Sequence, residues 1–161
     1  MEAICDNKSV GVIIQNEQGQ TLLIDRAKFP FGLAAPAGHI DSHGNSEQAA
    51  ITEVFEEVGL TLAATNLKRV IANRYVNNSC RRSGGNYHIW DVYVASNIEG
   101  QIVQSNTEIL ASGWRTRKQL QELARATLRL GEVTERGTQA LEPIWLQFFT
   151  ELGMVAISDI R

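Results

Sequence analysis

The stretch Ala37 to Leu60, AGHIDSHGNSEQAAITEVFEEVGL, decides how the chain is read. Its second half carries Glu53, Glu56 and Glu57. At about 3.6 residues per turn, offsets of zero, three and four share one helical face. A single Glu is ordinary solvated surface. Three on one stripe repel each other unless a cation neutralises them. A hard divalent ion with oxygen ligands fits that need, Mg²⁺ first and Mn²⁺ second.

Helix signals frame the stretch. Asn45 is a good N-cap, and Gln48 three residues on completes a capping-box pattern. Glu47 lies in the first turn, where the dipole favours an anion. Ala49, Ala50, Val54 and Val58 form an apolar stripe for packing on a sheet. Gly59 is a natural stop. The spacing predicts a helix over 46–58 with its carboxylates facing away from the core. The loop Gly38 to Gly44 feeds the helix N-terminus, an arrangement suited to phosphate.

At these residues the chain resembles the Nudix hydrolases, whose box reads G-x5-E-x7-R-E-U-x-E-E-x-G-U with U aliphatic. Gly38, Glu53, Val54, Glu56, Glu57, Gly59 and Leu60 fall in register. Gly44 stands where the first Glu belongs and Thr52 where Arg belongs. In that family the Arg bonds to the following carboxylate, which Thr cannot do with a charged fork. The departures therefore bear on activity more than on fold. The resemblance implies one Nudix domain over 1–161, an α/β/α sandwich with a mixed β-sheet, with the box at 38–60.

Composition agrees with this. The chain of 161 residues is 43% hydrophobic and 20% charged, ordinary for a globular protein. A net charge of −3 argues against a general nucleic-acid binder. No apolar run approaches membrane-spanning length and no leader pattern opens the chain, so no membrane partner and a cytoplasmic location are expected. Cys5 and Cys80 are far apart and form no C-x-x-C pair, which reads as two reduced thiols. A small zinc site of Cys5, Cys80 and His88 is conceivable, but spacing gives it no support.

Outside the box, Ser9–Ile14 reads as a buried strand. It is expected to pair in a hairpin with Thr21–Ile24 across the turn Asn16–Gly19. Phe29 and Phe31 flank a break, and Phe31 is a candidate for contact with a base or sugar, as the resemblance implies. His39 reads as structural and His43 as exposed. Lys68–Val76 and Asn86–Ala95 read as strands. The polar, glycine-rich segment 77–85 between them carries Arg81 and Arg82, suited to clamping a pyrophosphate. A turn at 97–100, a short strand at 101–104 and a last strand near Ser112–Arg115 follow. In the resembling family an acidic residue before that strand serves as metal ligand or general base, and Glu108 is the acidic residue available in this loop. Thr116–Ala126 reads as a surface helix. A C-terminal helix from Pro143 to about Leu152 carries an apolar stripe that docks on the domain or forms a homodimer face.

The function implied is metal-dependent hydrolysis of a nucleoside diphosphate linked to another moiety. Glu56 and Glu57 would hold Mg²⁺ or Mn²⁺. Glu53 would complete the shell or accept a proton, Glu108 is the competing base, and Gly38 would let the loop backbone reach the ligand. An ADP-ribose-like sugar nucleotide or dinucleotide ranks first among small-molecule substrates, and a nucleoside triphosphate is the alternative. From another class, a nucleotide sensor of the same fold would explain Thr52 and Gly44. Retention of three helix carboxylates argues against the sensor. A prenyl diphosphate isomerase would want a positioned thiol, for which Cys80 is the one plausible residue.

Overall fold

The strand predicted at 9–14 forms the centre of the first sheet. In a computed structural model describing residues 3–96, 98, 100–105 and 107–159, it is β1 (Lys8–Ile14), with every residue after Lys8 buried. Such two-sided burial suits a run of β-branched residues in mid-sheet. It pairs antiparallel with β4 (Ala37–His39) and parallel with β6 (His88–Ala95), which in turn pairs antiparallel with β5 (Leu67–Val76). The sheet order is β4-β1-β6-β5, a mixed sheet as expected.

A second sheet holds β3 (Leu33–Ala34), β2 (Thr21–Arg26) and β7 (Ile109–Arg115), all antiparallel. The expected hairpin is thereby corrected. Its turn forms, with the Asn16 N–H on the Gln20 carbonyl at 3.0 Å. Beyond a single bridge from Gln15 to Thr21, however, β1 and β2 part into different sheets. Both strands are buried along nearly their whole length, so each has two faces to cover and neither can be satisfied by the other alone. The short strand expected at 101–104 does not form. Instead, Val103 N–H binds Val58 O and Ser105 N–H binds Glu57 O, each at 2.8 Å. The turn expected at 97–100 includes residues outside those described.

Helix α1 (Ser46–Val58) has the predicted bounds and packs on β1 and β4. Asn45 Oδ1 accepts the Gln48 N–H at 2.9 Å, and Gly59 closes the helix at φ 72°. Helix α2 (Arg117–Leu130) starts from a full capping box of Thr116 and Gln119. Helix α3 (Pro143–Glu151) is not a surface element. Trp145, Phe148 and Phe149 are fully buried, and the apolar stripe docks into the chain's own core, which removes it as a dimer face. Gly11 of β1 makes this possible, because a Cβ there would overlap the Trp145 ring. Among the described residues, no helix is long and apolar enough to cross a membrane.

Candidate active site

The box turn and helix α1 meet at Gly38 and Glu53. A Cβ on Gly38 would overlap the Glu53 carboxylate, so the helix carboxylate occupies the space of the missing side chain. This glycine thus seats Glu53, a task beyond the backbone access expected of it. The three carboxylates do not all face away from the core. Glu56 is exposed, Glu53 is half-buried, and Glu57 is 3% exposed with Oε2 accepting the Ala37 N–H at 3.3 Å. The expectation failed because β4 crosses directly over the third carboxylate of the stripe.

Burial and mutual repulsion govern the chemistry. Desolvation pushes the Glu53 carboxyl up to about 8, with the charges of Glu56, Glu108 and Asp41 adding to the rise and Arg82 opposing it. Burial likewise holds Glu57 well above the usual carboxylate range, against the pull of Arg26 and with Glu53 and Glu108 reinforcing it. Glu108 therefore faces the same cluster from the far loop, as the sequence suggested.

These groups line a cavity of about 350 Å³, together with Arg26, Arg81 and Arg82. Arg82 is anchored by an ion pair to Asp41 at 2.6 Å, which lowers the Asp41 pKa. Arg81 is the more exposed of the two. Phe31 is not in this cavity. It lines an adjoining, more apolar groove with Phe29, Pro30, Val133 and Ile144, and the two spaces share Phe29, Pro30, Asn78, Ser79 and Glu142.

Several contributors escaped the sequence reading. Arg26 ends β2 and lies 3.7 Å from Glu142, a fully buried carboxyl raised to about 7 by desolvation with Arg26 opposing. His43, read as exposed, is half-buried with Nε2 3.7 Å from Glu53 Oε1. The charge of Arg82 acts on Glu53, which Thr52 cannot do. At Gly44 the backbone has φ 96°, a conformation that disfavours any side chain, including the Glu of the family pattern. Cys5 and Cys80 remain free thiols but are not apart, since their sulfurs are 3.7 Å from each other where Cys80 lines the cavity. Burial lowers His39 to about 4 and also depresses His88 nearby. The one signal available for any of these was residue type, since the four segments involved are distant in sequence.

The model of the NUDIX domain family matches residues 6–136. Among solved structures, a MutT protein from Methanosarcina mazei Go1 aligns with TM-score 0.62 at 19% identity, covering 94% of each chain. A MutT NUDIX hydrolase from Burkholderia pseudomallei aligns with TM-score 0.56 at 23% identity, covering 88% of this chain and 95% of the other. The Escherichia coli dihydroneopterin triphosphate pyrophosphohydrolase aligns with TM-score 0.55 at 24% identity, covering 73% and 85%. At these identities the likeness concerns the fold. No curated protein matches the chain.

Proposed function

The chain belongs to the Nudix family of pyrophosphohydrolases, and from that premise we propose that it hydrolyses a nucleoside diphosphate linked to another moiety, cutting the pyrophosphate bond. The observation that carries this reading is the convergence of Glu53, Glu56, Glu57 and Glu108 on one cavity that also holds Arg26, Arg81 and Arg82. Anionic and cationic groups together suit a pyrophosphate bridged to the protein through a cation.

The donor set fits a hard divalent ion. All its ligands are carboxylate oxygens, and burial raises the pKa of both Glu53 and Glu57 when no cation is present. We assign Glu56 and Glu57 to Mg²⁺, with Mn²⁺ as a substitute and Glu53 completing the shell. The ion, when bound, would supply charge neutralisation and a more acidic water. The chain's own residues do the rest. Arg81 and Arg26 face the phosphoryl oxygens, where charge grows in the transition state. Arg82 is held by Asp41 at the cavity edge and limits where the pyrophosphate can lie. Glu108 accepts the proton of the attacking water, with Glu53 as the competing acceptor.

The adjoining groove supports a two-part substrate. Phe29 and Phe31 lie edge to face at 6.0 Å, and with Pro30 and Ile144 they offer an apolar surface beside the polar cavity. A base or sugar fits there while the pyrophosphate occupies the carboxylate cavity. The groove supports our ranking of the ADP-ribose-like class ahead of a bare triphosphate, and we propose the cytoplasm as the compartment. The test is product release from a panel of sugar nucleotides, dinucleotides and triphosphates with Mg²⁺ or Mn²⁺, using Glu57→Gln as blank. Turnover of a two-part substrate, lost in the blank, is expected. Turnover confined to triphosphates would reassign the groove. Silence with metal-dependent stabilisation by one compound would establish a sensor.

A further inference from the structure

Four side chains from four separate segments meet beside the carboxylate cavity and take no part in the chemistry above. Cys5 precedes β1, His39 ends β4, Cys80 lies in the arginine loop and His88 starts β6. Their ligand atoms all lie within 4.8 Å of one another. Cys5 Sγ is 3.2 Å from His88 Nε2, 3.4 Å from His39 Nε2 and 3.7 Å from Cys80 Sγ. Zn–S bonds of about 2.3 Å and Zn–N bonds of about 2.0–2.1 Å at tetrahedral angles place neighbouring ligand atoms roughly 3.3–3.8 Å apart. From this geometry we propose that Cys5, His39, Cys80 and His88 form a structural zinc site, distinct from the carboxylate site.

The surroundings are those of a metal centre rather than a chance cluster. His88 Nδ1 sits 3.0 Å from the Asn78 carbonyl, so the ring donates there and leaves the Nε2 lone pair aimed at the cluster, a common outer-shell arrangement for a zinc-bound histidine. Each sulfur also accepts a backbone N–H, Cys5 from Asn7 at 3.3 Å and Cys80 from Arg82 at 3.4 Å. Such bonds favour thiolates. Gly85 clears the space, because a Cβ there would overlap Cys80 Sγ. Two sulfurs and two imidazoles select zinc over the hard ions that suit the carboxylates. Four protein ligands fill the tetrahedron, so no open position remains for chemistry.

Binding is balanced: the two thiols release their protons to solvent, and Zn²⁺ with two thiolates and two neutral imidazoles makes an uncharged centre. The consequence is positional. The ion ties the N-terminal segment and the turn after Gly38 to the loop 77–85, which carries Arg81 and Arg82 over the active-site cavity. Catalytic failure would leave this proposal intact, since its readouts are metal content and spectroscopy.

The test is elemental analysis of the full chain prepared with reductant, followed by replacement of zinc with Co²⁺. One zinc per chain is expected, with an intense tetrahedral cobalt spectrum and thiolate-to-cobalt charge transfer. Cobalt on the carboxylates gives neither. The half-buried Cys80→Ser and the His88→Ala variants should each lower zinc content to about a tenth or less, if affinity falls as ligand loss dictates. A folded wild-type chain without zinc and without the charge-transfer band would overturn the proposal. So would full zinc content in both variants.

Discussion

Glu53→Gln should stabilise the metal-free protein while removing its response to Mg²⁺. The cause is the raised Glu53 pKa, about 8 in the fold against an ordinary 4.5. A carboxyl raised on folding costs nothing below its unfolded pKa. Its contribution to stability is then lost as pH climbs from 4.5 towards 8. One unit corresponds to about 1.4 kcal/mol, so the loss is about 3 kcal/mol at pH 7 and about 5 kcal/mol above pH 8. The side chain is 13% exposed, so solvent screening removes little of this. Gln keeps the shape and carries no charge to desolvate. Urea unfolding in EDTA at pH 5 and pH 8 should show the variant gaining stability over wild type, with a larger gain at pH 8. For a domain of this size, each kcal/mol moves Tm by about 2–4 °C. Mg²⁺ should then raise the wild-type midpoint and leave the variant's nearly unchanged. A variant less stable than wild type at pH 8 in EDTA would refute the reasoning, because Glu53 would then be stabilised as an anion by its neighbours.

Other substitutions probe the same arrangement. Gly38→Ala puts a Cβ against the Glu53 carboxylate and should cost about 1–3 kcal/mol of overpacking along with most activity, measurable by unfolding and product release together. Glu57→Gln should abolish turnover but leave the fold at least as stable in EDTA, and retained activity would remove Glu57 from the metal set. Thr52→Arg should raise kcat if Glu53 lacks only a charged support, while a fall would mean that His43 and Arg82 have replaced it. Trp145→Ala should cost about 3–5 kcal/mol, seen as an earlier urea midpoint, since the ring is fully buried over Gly11.

The sequence made helix 46–58 legible because cap, periodicity and stop all agreed around one helix of thirteen residues. The grouping of Glu53, Glu56 and Glu57 was legible for the same reason, since helical spacing alone aligns them. What it hid were facts set by distant chain. Glu57 is buried by β4, and nothing inside the helix announces that. Asn16–Gly19 predicts a turn correctly, yet the fate of the strands it joins depends on β6 and β7, which claim one each. Glu142 becomes a cavity residue through backbone bonds that join residues 140–142 to Leu33. Cys5 and Cys80 are separated by most of the first sheet in sequence, and the parallel pairing of β1 with β6, extended by the Cys5 N–H on the Ser83 carbonyl at 2.9 Å, brings their segments side by side. Local patterns reveal local structure; convergence across a sheet leaves no periodic trace.

The segment 140–149 deserves to be considered as a constraint on how such a chain diverges. Leu33 N–H binds Ala140 O at 2.8 Å and Glu142 N–H binds Leu33 O at 2.9 Å, fastening the segment to β3. Within it, Glu142, Pro143 and Ile144 border the apolar groove, while Trp145, Phe148 and Phe149 fill the interior one turn later. A change that reshapes the groove here also shifts the helix that carries the aromatic cluster, and a change in the aromatics moves the groove. Groove shape and folding stability are therefore inherited together along these ten positions. Descendants that adopt a new ligand should replace the segment as a block, with compensating changes at Gly11 and Leu33, rather than drift through it one residue at a time.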